Sequence, residues 1–115
     1  VTLASAIAQW GNLGALVSAL YTNDYKLMGR SLHDAIVEPV RSILIPYFDE
    51  LKKLALDNGA LGFGISGSGP SVFAMCQGDS AAEEVKSAYL NFLQDKEMGF
   101  ELHVSEINKT GIRIL

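Results

Sequence analysis

The sequence runs to 115 residues, 49% of them hydrophobic, with a formal net charge of −4. That length suits one domain, residues 1–115, able to bury a core without disulfides or metal, and the composition is not that of a disordered chain. The nine Lys and Arg residues are scattered and form no basic stripe, which argues against nucleic acid as a partner. Apolar runs 42–48 and 71–76 are far too short for a bilayer, and residues 1–20 keep Gln9 and Asn12 and lack the basic opening of a signal peptide. Cys76 is the only cysteine, so no intrachain bridge or thiolate cluster can form, which favours a reducing, cytoplasmic setting. The chain opens on Val1 rather than methionine, as a piece of a longer protein would.

Taken in order, the first half reads as helix. Leu3, Ile7, Trp10, Leu13, Val17 and Leu20 recur at three- and four-residue steps, and Thr2 is a suitable cap, predicting an amphipathic helix of about five turns. Asn23 or Asp24 can cap a second helix ending near His33. Pro39 and Pro46 each fit the first turn of a helix, where a missing N–H costs nothing. The helix opened by Pro46 would bury Phe48, Leu51 and Leu54 and stop at Asn58-Gly59. The period then changes. Residues 60–66 and 71–76 are short apolar runs around Gly67-Ser68-Gly69-Pro70, predicting two strands joined by a tight loop. Ser80 with Glu83 reads as a capping box for a helix whose apolar face is Val85, Tyr89, Phe92 and Leu93. Residues 100–107 and 111–115 alternate apolar and polar side chains, predicting two more strands. The order α-α-α-β-β-α-β-β describes an α+β domain with a mainly antiparallel sheet and helices packed on one face.

The densest signal is residues 59–71, which hold five glycines in thirteen positions. Glycine admits positive φ and close backbone approach at an entropic cost, so such a cluster needs a cause; a hairpin turn with glycine bends is one. Gly62-Phe63-Gly64-Ile65-Ser66-Gly67 matches a dinucleotide fingerprint in letters only, because a helix precedes it and a strand follows. No Gly-Lys-Ser/Thr run exists to form a Walker loop. His33 and His103 lie far apart without a second ligand spaced to either, so a metal site is not expected. Ser66 and Ser68 lack the strand-to-helix elbow of a hydrolase nucleophile, so no catalytic residue is assigned. Trp10, Phe48 and Phe92 read as core, and Asp34, Glu38, Asp49 and Glu50 as a solvated face.

Gly64-Ile65-Ser66-Gly67-Ser68-Gly69-Pro70-Ser71-Val72-Phe73-Ala74 resembles the third conserved motif of the GHMP kinases, named for galacto-, homoserine, mevalonate and phosphomevalonate kinases. Asp34-Ala35-Ile36-Val37-Glu38-Pro39-Val40-Arg41 and its continuation to Pro46 resemble a helical segment peculiar to the homoserine kinase branch. The closing residues 104–114 resemble that branch's C-terminal strands, so the likeness covers essentially the whole chain. It implies a ferredoxin-like GHMP kinase C-terminal domain whose first strand lies before Val1. It also implies a parent enzyme that passes the γ-phosphate of MgATP to the hydroxyl of L-homoserine, towards threonine. The family's ATP-cradling loop, Pro-x-x-x-Gly-Leu-Gly-Ser-Ser, belongs to an N-terminal domain and does not occur here. MgATP would therefore be held mainly outside this chain, which alone should be inactive.

By the same resemblance, Arg41 meets the homoserine carboxylate, for which a planar guanidinium fork is suited. The bland alternative is a surface arginine paired with Asp34 or Glu38. Ser66, Gly67, Ser68, Gly69 and Ser71 would form the glycine loop beside the phosphate site, bracing it or meeting phosphate through backbone N–H groups. The partners implied are homoserine, ATP and the chain's own N-terminal domain, with no membrane; a homodimer is left open. Two other functions fit the motifs less fully. One is an isoprenoid-pathway kinase acting on cytidyl-diphospho-methylerythritol, which shares the Ser-Gly-Ser-Gly loop without the Arg41 segment. The other is a non-enzymatic ferredoxin-like module that binds amino acids.

Overall fold

The computed structural model describes residues 1–115 and contains five helices and one two-stranded sheet. α1 (Leu3–Thr22) is capped by Thr2, whose hydroxyl accepts from the Ser5 N–H, and ends at Asn23 in the left-handed conformation. Asp24 caps α2 (Tyr25–Ser31) by accepting from the Leu27 N–H, and α2 stops at Ser31 rather than running to His33. α3 (Glu38–Arg41) is a single turn with Pro39 near its start, where proline is tolerated. A 3₁₀ turn at Ser42–Leu44 follows, and then α4 (Phe48–Asp57). Pro46 does not open α4. Ile45, before the proline, is extended, as pre-proline residues are, and Tyr47 turns the chain with φ +58. Gly59, at φ +94, passes the chain from α4 to β1 (Ala60–Ile65), which pairs antiparallel with β2 (Val72–Cys76) before α5 (Asp79–Leu93).

Strand alternation distributes the core. Phe63 points between α4 and α5, where Ile45, Phe48, Leu51, Ala55, Val85, Tyr89 and Leu93 complete one buried cluster. Gly62 and Gly64 face the other way. A Cβ on Gly62 would lie 2.5 Å from Leu32 Cδ1, and one on Gly64 3.0 Å from the Phe73 ring. The helices are thus not all on one face: α4 and α5 cover one side, and the end of α2 brings Leu32 over the other. A bulge between Ala60 and Gly62 carries Leu61, whose carbonyl oxygen nearly touches Gly29 of α2.

Three further expectations fail for physical reasons. Residues 100–107 and 111–115 form no strands, because nothing pairs with them and an unpaired strand leaves its backbone groups without partners. Met98 and Leu102 still pack against the core, while Ile112 and Ile114 are fully exposed. The capping box is not formed: α5 starts at Asp79 after Gly78, which has φ +83, and Ser80 is already inside the first turn. Trp10 is not core but 64% exposed, together with Leu3, Ile7, Leu13, Val17 and Leu20. α1 carries no Asp, Glu, Lys, Arg or His, and by length and composition it could cross a membrane. Its other side is committed to α2 and to the segment that follows it.

Candidate functional site

The site is assembled around the segment linking α2 to α3. Gln9 Oε1 accepts from the Ala35 N–H at 2.8 Å, and Asn12 Nδ2 donates to the His33 carbonyl at 2.9 Å. They are the two side-chain amides of α1, and amides in a helix without charges are the sequence signal that could have marked them. Asp34 accepts from the N–H groups of Ile36 and Val37 at 2.8 Å and Glu38 at 3.1 Å, satisfying donors that the start of α3 would leave free. It is not part of a solvated face. Nor is Glu38: its Oε1 pairs with Lys52 of α4, while its Oε2 is buried without a partner. Together these contacts fix the direction in which Arg41, the last residue of α3, leaves the helix.

Arg41 pairs with neither Asp34 nor Glu38. It crosses to the glycine loop, where Nη2 donates to the Ser68 carbonyl at 2.9 Å and Nε donates to the same oxygen at 3.3 Å. Two sequence-derived candidates that lie 27 residues apart are thereby one constellation. The loop is ordered from within as well. Ser66 N–H donates to the Ser71 carbonyl at 2.9 Å, and Gly69 N–H to the Ser66 carbonyl at 3.2 Å. Gly67 and Gly69 take φ of +63 and +79, which side chains disfavour. Gly69 also lies against Ile45, whose Cδ1 would be 3.1 Å from an added Cβ. The N–H groups of Gly67, Ser68 and Ser71 make no bond within the chain, and Ser66, Gly67, Ser68 and Ser71 are exposed. Uncommitted amides beside a guanidinium suit an anionic group.

Other features do not compete. A shallow cleft of about 300 Å³ at the start of α4 includes Ile45 and Tyr47, but the carboxylates of Asp49 and Glu50 line it and repel anions. Burial pushes the Cys76 thiol up from its ordinary pKa, which lowers its nucleophilic fraction at neutral pH. His103 lies 3.3 Å from Glu101 on the exposed tail, far in sequence from His33. No three His, Cys, Asp or Glu side chains converge anywhere in the chain.

This α+β fold with a glycine-rich hairpin loop has known counterparts. Residues 16–95 match the family of GHMP kinases C terminal, and the chain belongs to that family. Its relatives include the homoserine kinase of Chlorobium phaeovibrioides, 47% identical over 100% of this chain and 37% of that protein. The homoserine kinase of Chloroherpeton thalassium is 44% identical over 100% of this chain and 36% of its own length. The crystal structure of homoserine kinase from Cytophaga hutchinsonii superposes with a TM-score of 0.89 at 50% identity, covering 96% of this chain and 35% of that one. The chain thus spans a little over a third of the length of the homoserine kinases it matches.

Proposed function

We propose that this chain is the C-terminal domain of a homoserine kinase. The whole enzyme transfers the γ-phosphate of MgATP to the side-chain hydroxyl of L-homoserine, a step towards threonine, in the reducing cytoplasm that a single free cysteine suits. The observation that carries the reading is Arg41 at the glycine loop. Its Nε and Nη2 atoms face Ser68, which leaves the Nη1–Nη2 edge of the guanidinium to take the homoserine carboxylate as a fork. The loop amides support the phosphate-binding elements contributed by the rest of the parent. Phosphoryl transfer depends mostly on positioning and charge stabilisation, so a domain that orients one substrate and braces the phosphate region contributes without a catalytic group of its own.

Two surfaces support a missing neighbour. The exposed apolar face of α1 suits a permanent contact with the preceding part of the parent, which would be tethered at the helix's own N-terminal end. Residues 100–107 carry strand alternation without a partner, as they would if the strand that completes a ferredoxin-like sheet lay before Val1. Matches to homoserine kinases along the entire chain favour that substrate over the isoprenoid alternative.

The test is a coupled ADP-release assay on the full-length parent and on this chain. The parent turns over MgATP with homoserine, and the 115-residue chain does not. Arg41→Ala raises the KM for homoserine by about 10- to 150-fold, the equivalent of a charge-assisted bond of roughly 1.5–3 kcal/mol. Unchanged homoserine saturation in that variant would sink the carboxylate assignment.

A further inference from the structure

The Ser68 carbonyl and the Gly69 N–H belong to one rigid peptide plane. Both ends of that plane are held. Arg41 grips the oxygen through two nitrogens, and the Ser66 carbonyl takes the N–H at 3.2 Å. On either side stand glycines at positive φ, and glycine pays the largest entropic cost when it is ordered. Gly67 has nothing within 4 Å of where a side chain would begin, so no packing restrains that half of the loop. Its orientation therefore depends on hydrogen bonds, and the long-range ones among them both come from Arg41. The two loop amides nearest the clamped plane, those of Gly67 and Ser68, are also uncommitted.

We infer that Arg41 is a positioning residue for the glycine loop: its guanidinium latches the Ser68 carbonyl and so aims the free amides of Gly67 and Ser68. The latch uses the Nε–Nη2 edge and leaves three of the five N–H donors for an anion, so holding the loop and holding a carboxylate do not compete. A ligand carboxylate on the open edge restrains the same guanidinium, tightens its grip on Ser68 and couples acceptor binding to the geometry of the phosphate-side loop. The coupling rests on the homoserine kinase reading; the latch itself does not.

Two measurements on the full-length parent separate these claims. The first is residue-resolved amide hydrogen exchange without ligands on wild type, Arg41→Lys and Arg41→Met. Arg41→Met should speed exchange at Ser66 and Gly69 by about 10-fold or more, matching loss of a charge-assisted bond at the low end of its range. Gly64 and Phe73, the hydrogen-bonded pair next along the sheet, should keep their rates, and Arg41→Lys, with one bond in place of two, should fall between. Wild-type exchange at Gly69 in Arg41→Met overturns the latch. So does equal acceleration at Gly64 and Phe73, which would make Arg41 a general stabilising residue; if Arg41→Met does not fold, the same comparison in Arg41→Lys decides. The second is saturation kinetics with homoserine and MgATP, in which Arg41→Met should lower kcat about 10-fold besides raising the KM for homoserine. A rise in KM with kcat intact would overturn the coupling. A parent that does not phosphorylate homoserine overturns the functional reading, while the exchange result still decides the latch.

Discussion

Gly67 and Gly69 offer a controlled comparison, because they share a backbone requirement and differ in surroundings. Both have positive φ, so alanine at either position carries the left-handed penalty of about 1–2 kcal/mol. At Gly67 the added methyl enters open space, and the cost ends there. At Gly69 it arrives 3.1 Å from Ile45 Cδ1 and 3.6 Å from Ile65 Cγ2. Ile45 is only 7% exposed and packs in the cluster with Phe48, so it must yield by a few tenths of an ångström inside a filled core. That adds about 1 kcal/mol, the low end of the overpacking range. Urea unfolding of the 115-residue chain checks both values. Gly67→Ala should lower the midpoint, and Gly69→Ala should lower it further by an amount equal to about 1 kcal/mol, with the denaturant slope unchanged. A Gly69→Ala protein as stable as Gly67→Ala would refute the packing argument. Two variants as stable as wild type would refute the positive-φ argument too.

The ion pair of Lys52 with Glu38 gives a second test: Lys52→Met strands a carboxylate that already has one buried, unpartnered oxygen. It should destabilise the chain by about 1–3 kcal/mol, and the added change Glu38→Gln should recover part of that in the same unfolding assay. Tyr89 gives a pH test. Burial raises its pKa well above that of an ordinary tyrosine, with Cys76 adding to the shift. Its contribution is therefore complete below about pH 10 and is lost as pH rises from there towards the folded-state pKa, where only the unfolded chain ionises readily. Tyr89→Phe should flatten that alkaline decline in a midpoint-against-pH series, while the lost bond to the Leu51 carbonyl costs about 1 kcal/mol at neutral pH.

Local signals were legible where a feature depends on its own neighbours. Thr2 capping α1, the left-handed exit at Gly59 and the hairpin around residues 66–71 all follow from short-range chemistry. What the sequence hid is what depends on distant partners. Alternation over residues 100–107 marks two faces without saying which strand lies beside them. The apolar period of α1 locates a stripe to be covered, yet its cover is not in this chain. Ser80 and Glu83 have the right spacing for a capping box, but Gly78 at φ +83 turns the chain into α5 two residues early. At the candidate site, Arg41 and the glycine loop were each recognisable. Their hydrogen bond was not, because it spans three elements, and Glu38 looked solvated until Lys52 was placed over it.

The charge-free surface of α1 also bears on how this sequence can change over time. A solvent-facing helix ordinarily drifts freely among Lys, Glu, Gln and Arg, since such exchanges shift stability by only a few tenths of a kcal/mol. The stripe of Leu3, Ile7, Trp10, Leu13, Val17 and Leu20 has no such freedom if it meets a fixed neighbour. Its permitted exchanges are then those of an interior, one apolar shape for another, with compensating changes on the facing surface. Across homologous sequences, Trp10 and Leu13 should vary as Phe63 and Val85 do, and Lys53 or Glu84 should not.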